Sequence, residues 1–282
     1  MLRKPEWLNK KVHLKVCAGL HNFLSGMSLH TVCREAMCPN ISECSEQGIA
    51  TILILGKTCT RNCKFCAILK GRPLAPDPRE PAKTAAAILK MGLKHVVITS
   101  VTRDDISDGG ADHFAKTVKE VRRECRGITI EVLVPDFLGI PSSVRKVVES
   151  GPDIFAHNIE TVPRLYPQAR QMADYSRSLD VLSSAKKIGG GMKTKSGIML
   201  GLGESEDEVI KVFSDLRKVQ CDFLSIGQYL APSHKHYKVA EYIHPDRFDQ
   251  YKDKALEAGF QHVESGPYVR SSYMASKYTD KK

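Results

Sequence analysis

The 282-residue chain has no run of about 18 consecutive apolar residues, so no segment is suited to cross a bilayer as a helix and a soluble protein is expected. Its first residues, Met1 to Lys11, are basic but lack both the apolar segment of a secretory signal and the Ser/Arg-rich stretch of a transit peptide, which points to the cytoplasm. There is no low-complexity tract and no internal repeat beyond a strand and helix unit, which excludes a repeat array. A dinucleotide fingerprint is missing too, because the Gly-x-Gly-x-x-Gly pattern begun by Gly201 and Gly203 fails at Glu206. Cysteine is too scarce for a disulfide scaffold, and the nine residues are an odd number.

What is present is informative. A hydrophobic content of 42% in a chain of this length supports one large core with short appendages. A formal net charge of +10 favours acidic partners (nucleic acid, anionic cofactors or an acidic protein) or else a generally solvated basic surface. Six of the nine cysteines fall between Cys33 and Cys66. Cytosolic cysteines at such short spacings ligate metals more often than they form bridges.

Short β-branched apolar runs recur, each followed by helical periodicity. The six predicted strands are Ile52 to Leu55, His95 to Thr99, Ile128 to Val134, Ile154 to His157, Gly197 to Leu200 and Phe223 to Ile226. Helices are predicted over Lys83 to Met91, Asp112 to Glu124, Ser142 to Glu149, Ser178 to Lys187 and Glu206 to Lys218, where Val209, Ile210, Phe213, Leu216 and Val219 form an apolar stripe. Strict alternation implies parallel strands and right-handed crossovers. The expected fold class is α/β, a partial (β/α)6 TIM-like barrel with N- and C-terminal extensions; an open doubly wound sheet is the alternative. The extensions are 1–48, with a possible short helix near Val12 to Leu24, and 232–282, with a helix over Pro245 to Ala258 and an irregular tail. The barrel is 49–231.

Cys59, Cys63 and Cys66 form Cys-x3-Cys-x2-Cys just after the first strand, at the strand end where β/α barrels carry their active sites. Three thiolates on a four-iron cluster leave one iron open to a small molecule. The alternative is zinc, which prefers four Cys or His ligands in closed sites. Cys33, Cys38 and Cys44 form a second triplet, Cys-x4-Cys-x5-Cys, again one ligand short, or else are small buried side chains. Cys17, Cys125 and Cys221 are isolated and assigned to packing. Gly189 to Gly191 reads as a helix stop, and His234 with His236 as a solvated loop.

The loop Lys57 to Cys66, with Phe65 before the last cysteine, resembles the radical S-adenosylmethionine family. The pairing of the two triplets is similar to the lipoyl synthase family within it. The likeness extends to Ser100-Val101-Thr102-Arg103-Asp104-Asp105, to Asp108-Gly109-Gly110-Ala111, and to the stretch His157 to Tyr166. It continues through Gly197 to Glu204 and Gly227 to Leu230, and ends in Arg270-Ser271-Ser272-Tyr273. Arg34, where an acidic residue is expected, and Glu264, where a small one is expected, depart from the pattern.

The resemblance implies two 4Fe-4S clusters and S-adenosyl-L-methionine as cofactors. One cluster, on Cys59, Cys63 and Cys66, binds S-adenosylmethionine. The other, auxiliary, is on Cys33, Cys38, Cys44 and a serine of the Arg-Ser-Ser-Tyr motif, carried to Ser272 with Ser271 as the fallback. Arg270 and Ser272 are the expected catalytic residues; read without the resemblance, the motif is a polar turn. Candidate cofactor contacts are Asn158 and Glu160 after the fourth strand, Ser100 and Arg103 after the second, and Gly201 and Glu204. Ser100 and Arg103 are otherwise rim residues, and Glu204 otherwise a favourable charge at a helix start. The implied reaction inserts sulfur at carbons 6 and 8 of a protein-bound octanoyl-lysine, with the auxiliary cluster as donor. The implied partners are octanoylated lipoyl-carrier domains (the 2-oxo-acid dehydrogenase acyltransferase subunit and the glycine cleavage carrier protein), an electron donor such as ferredoxin or flavodoxin, and a cluster-repair carrier, with no nucleic acid and no membrane. The rival readings are a biotin-synthase-like enzyme, an Fe–S electron carrier and a zinc-containing nucleic-acid binder.

Overall fold

A computed structural model of the chain describes residues 3–9, 23–36, 38, 40, 43–44 and 50–278. The helix expected over Val12 to Leu24 lies, up to residue 22, outside the described residues, as does Cys17. The strands are β1 (His30–Thr31), β2 (Ala50–Ile54), β3 (Thr58–Cys59), β4 (Leu69–Lys70), β5 (His95–Ser100), β6 (Thr129–Leu133), β7 (Ile154–Ala156), β8 (Lys193–Leu200), β9 (Phe223–Gln228) and β10 (His262–Gly266). Eight of them form one sheet in the order β1-β2-β5-β6-β7-β8-β9-β10. Every neighbouring pair is parallel except β1 with β2. The sheet curls without closing, which makes it a partial TIM-like barrel. The β-branched runs form the central strands because a parallel sheet covered by helices is apolar on its outer face.

The helices are α1 (Val32–Glu35), α2 (Glu80–Met91), α3 (Ala111–Glu124), α4 (Pro141–Val148), α5 (Tyr166–Ala169), α6 (Tyr175–Ile188), α7 (Glu206–Lys218) and α8 (Pro245–Glu257). Local signals set their ends: Gly92 closes α2 in the left-handed region at φ 62, and Ser205 opens α7 with a reciprocal capping box to Glu208. On α7 the buried stripe is Val209, Val212, Phe213 and Leu216, while Ile210 and Val219 are only half-buried. Two apolar clusters lie between the helices and the sheet, one behind β2, β5 and β6 and one behind β8 and β9.

Two stretches differ from the sequence expectation. The strand predicted from Gly197 begins at Lys193, because Lys195, in the polar half of β8, is fully buried with its ammonium 3.1 Å from the Glu131 carboxylate. The irregular tail beyond residue 258 contains β10, which pairs with β9 from His262 opposite Phe223 to Gly266 opposite Gly227. Only Val263 of β10 is buried, so its sequence carries almost no apolar signal.

Candidate active site

β2 ends in a tight reversal, with Leu55 at φ 66 and its amide donating to Glu80 Oε2 at 2.8 Å. The loop that follows is bracketed by β3 and β4 and carries Cys59, Cys63 and Cys66. Arg61 pins its middle. The guanidinium donates to Asp104 at 2.7 and 2.9 Å and to Asp136 at 2.9 and 2.5 Å, and Asp136 is fully buried. Burial would raise the Asp136 carboxyl, yet the hydrogen bonds and charge of Arg61 hold it down at about 2. Further along, the Lys64 amide donates to Ala169 O at 2.9 Å and the Lys64 carbonyl accepts from the Tyr237 amide at 2.8 Å. The loop is thus tied to the β5 and β6 exits, to α5 and to the chain before α8.

A cavity of about 590 Å³ opens at these strand ends. Five of the six clustered cysteines line it, Cys33 and Cys38 from one triplet and Cys59, Cys63 and Cys66 from the other, together with Ser271 and Ser272. All six are free and half-buried. Burial and the neighbouring Cys38 and Cys44 push the Cys33 thiol up to about 12. Burial does the same to Cys66, reinforced by Cys63, Cys59 and Glu160. Cys33 and Cys66 are therefore costly to ionise without a cation and suited to one that holds them as thiolates. Among the described residues no three His, Cys, Asp or Glu side chains converge on a single metal ion. A polynuclear cluster does not require such convergence, since its cysteines bind separate irons.

The N- and C-terminal arms meet beside Cys38 and Cys44. Asn40 donates to Tyr268 O at 2.6 Å, and Tyr273 donates to Glu43 at 2.7 Å. The C-terminal arm can lie here because β9 has Gly227 beneath it: a Cβ on Gly227 would stand 2.1 Å from Val269 O. Ser271 donates to Asn158 Oδ1 at 2.9 Å, and Asn158 donates to Glu160 at 3.1 Å. Ser272 lines the same cavity.

The fourth strand's exit holds Asn158 and Glu160 as expected, with Glu160 in the left-handed region at φ 66, a strained conformation for that side chain. Burial raises the Glu160 carboxyl and Arg170 opposes the rise. Ser100 lines the cavity, and its hydroxyl has no hydrogen-bond partner; His157 Nε2 is also buried there without one. His157 Nδ1 must donate to the Val134 carbonyl at 2.8 Å, so Nε2 is an acceptor. Burial, then Arg170, pulls the imidazole down to about 4, which keeps it neutral. Two buried polar atoms without protein partners at the cavity wall fit a polar small-molecule cofactor.

Three expected contacts are placed elsewhere. Arg103 is buried, donating to Leu55 O at 3.2 Å and paired with Asp105 at 2.8 Å. Glu204 accepts from the Gly201 and Leu202 amides and organises its own turn, while Gly201 packs against Gln228 and Glu241. None of the three lines the cavity. Arg170, His157 and Arg61 received no role from the sequence. Arg170 is an isolated cation just beyond α5 with no flanking pattern to single it out. Arg61 sits inside the cysteine loop, and that position was the available signal.

The sequence model of the Radical SAM superfamily matches residues 53–216, more than half of the chain, and this sets the class. A lipoyl synthase of Geobacter metallireducens is 55% identical over 278 residues, covering 99% of this chain and 98% of that relative. One of Trichlorobacter lovleyi is 56% identical over 277 residues, covering 98% of both. The chain belongs to the lipoyl synthase family. Solved structures with a similar fold include methylornithine synthase (TM-score 0.52, 16% identity, covering 89% of this chain and 84% of that one). Another is Streptococcus suis SuiB bound to precursor peptide SuiA (TM-score 0.58, 12% identity, covering 85% and 54%).

Proposed function

We propose that the cavity is a two-cluster site in which sulfur is inserted into carbons 6 and 8 of a protein-bound octanoyl-lysine. Membership of the lipoyl synthase family makes the chain an enzyme of sulfur insertion. The observation that carries the site assignment is that cysteines of both triplets and the Ser271-Ser272 pair line one cavity. Cys59, Cys63 and Cys66 would hold a 4Fe-4S cluster that supplies a radical from S-adenosylmethionine, and Cys33, Cys38, Cys44 and Ser272 a second that supplies sulfur.

The chain's own residues do the rest. Ser271 is engaged with Asn158, which favours Ser272 as the oxygen ligand. Ser100 Oγ and the acceptor His157 Nε2 take up polar groups of S-adenosylmethionine, and Glu160 accepts from its sugar or amino group. Arg61 holds the cysteine loop in place, and the apolar part of the wall, with Leu53, Val101, Leu133 and Ile198, receives the alkyl chain and excludes water. In this reading 1–48 and 232–282 are arms that complete the 49–231 barrel. Carrier domains bearing octanoyl-lysine are the substrates, with ferredoxin or flavodoxin as reductant and a repair carrier restoring the second cluster. A basic surface suits acidic carriers. We place the enzyme in the cytoplasm; among the described residues no helix is long and apolar enough to cross a membrane.

The test is an anaerobic assay of the reconstituted enzyme with an octanoyl-lysine peptide, S-adenosylmethionine and reductant. The expected products are 5'-deoxyadenosine and a peptide carrying two sulfurs. Cofactor cleavage with a sulfur-free peptide would remove the role assigned to Cys33, Cys38 and Cys44.

A further inference from the structure

Beneath the cavity, inside the sheet, lies a cluster of charged groups that the reaction does not use. Lys195 of β8 and Glu131 of β6 are both fully buried, with Nζ 3.1 and 3.2 Å from the two carboxylate oxygens, and His95 Nε2 of β5 stands 3.6 Å from Glu131. A buried ion pair offsets its desolvation only where its remaining protons find partners. Here one such partner is an aromatic face from the C-terminal arm. The last described turn, Ala275–Tyr278, runs into the sheet interior and places the Tyr278 ring 3.8 Å from Lys195 Nζ. The same ring packs on Phe223 at 5.3 Å and edge-on to His262 at 4.8 Å. Its hydroxyl lies 3.3 Å from Ser225 Oγ and donates to Leu224 O at 3.4 Å. Ser225 itself lines the cavity, so Tyr278 sits directly under the cavity floor.

Between β10 and this turn runs the arm that carries Ser271 and Ser272. Along the arm, Arg270 to Met274 are only half-buried, whereas Tyr278 is 6% exposed and contacts three strands. The arm is a strap with two firm ends: the β10 ladder on one side and a ring locked over an ammonium on the other. A segment held at both ends loses far less freedom when its middle is positioned than one held at a single end.

We propose that Tyr278 is a positioning residue for the auxiliary site, acting through the strap to hold Ser271 and Ser272 at the cavity wall. The inference rests on the two-cluster reading. It assigns the buried Lys195–Glu131 pair a function as the socket of the strap.

The experiment compares the wild-type chain with Tyr278→Ala and Tyr278→Phe. Amide hydrogen exchange over 267–278, measured before cluster loading, should rise by about 10-fold or more in Tyr278→Ala and stay close to wild type in Tyr278→Phe, which keeps the ring contacts. After reconstitution the wild type should hold about eight irons and Tyr278→Ala about four, as loss of one of two four-iron clusters requires. Tyr278→Ala should still form 5'-deoxyadenosine within about 2-fold of wild type while dithiolated product falls by about 10-fold or more, a split that general destabilisation does not produce. Should Tyr278→Ala fail to fold, Tyr278→Leu, which fills the socket without a ring face, takes its place in all three measurements. Unchanged exchange and iron content in the variant overturn the proposal, and so does an equal loss of both products. A wild-type chain that itself holds only four irons refutes the two-cluster reading, while the exchange data still decide whether Tyr278 anchors the strap.

Discussion

Replacing Arg61 by methionine keeps a long unbranched side chain but removes the fork that two carboxylates share. In the wild type, the drop of the Asp136 carboxyl from its ordinary 3.8 to about 2 corresponds to about 2.5 kcal/mol at about 1.36 kcal/mol per tenfold change. Truncating the cation costs more than this, because Asp136 is fully buried and left as an uncompensated charge; such losses run at about 3–5 kcal/mol. Arg177, 3.2 Å from Asp136, offsets part of the loss, which puts Arg61→Met near the lower bound. Asp136→Asn removes the buried charge and leaves Arg61 its two-point pair with Asp104, so it should cost less, about 2 kcal/mol. The expected ordering is therefore Arg61→Met worse than Asp136→Asn, with Tm falls of about 10 °C and about 6 °C at about 2–4 °C per kcal/mol.

The pH dependence follows from the sign of the shift. A carboxyl depressed by folding contributes stability that is complete above about 4 and is lost as pH falls through about 2. In Arg61→Met, burial instead raises Asp136, so protonation relieves the penalty and the gap to wild type narrows on acidification. Thermal and urea melts of the metal-free chain from about pH 2 to about pH 7 measure both effects. A loss under about 1 kcal/mol for Arg61→Met, or a gap that widens in acid, refutes the reasoning.

Other substitutions probe the remaining parts. Cys63→Ala should abolish 5'-deoxyadenosine formation, whereas Cys38→Ala should retain it and lose dithiolated peptide, both read by mass spectrometry. Gly201→Ala forces a Cβ to 2.2 Å from Gln228 Nε2 and 2.4 Å from Glu241 O at φ +95, and should cost about 3 kcal/mol by overpacking and backbone strain. Gly203→Ala, whose Cβ meets nothing closer than 3.7 Å, should cost about 1 kcal/mol; equal melting temperatures for the two variants would contradict the packing argument. Ser205→Ala removes the cap that α7 shares with Glu208 and should cost about 1 kcal/mol in a urea titration.

The six central strands and the cysteine-lined end of the sheet were legible in the sequence because each writes a local signature: β-branched runs between turns, and thiols at fixed short spacing. The rest depended on partners far along the chain. Lys193 to Ser196 looks like a polar loop until Glu131, 64 residues from Lys195, supplies a counter-charge. β10 has one buried apolar residue and owes its strand geometry to the exposed edge of β9. Arg103 follows a strand end, a position that suits a cofactor contact or a rim residue alike, and its side chain turns back to the Leu55 carbonyl and Asp105. Arg170 shows the converse: nothing around it marks a site, and only the fold brings it beside Asn158 and the Cys63 loop.

The wall that joins the two arms is closed by bonds spanning 228 and 230 residues, from Asn40 to Tyr268 and from Glu43 to Tyr273. A ribosome translating this chain releases Cys33 and Cys38 long before Ser272, so that wall stays unfinished until translation has passed the serine. An incomplete polypeptide of this sequence would carry the Cys59 to Cys66 loop and most of the sheet while lacking the serine side of the pocket. The order of synthesis thus makes the serine side of that wall its last part to be assembled.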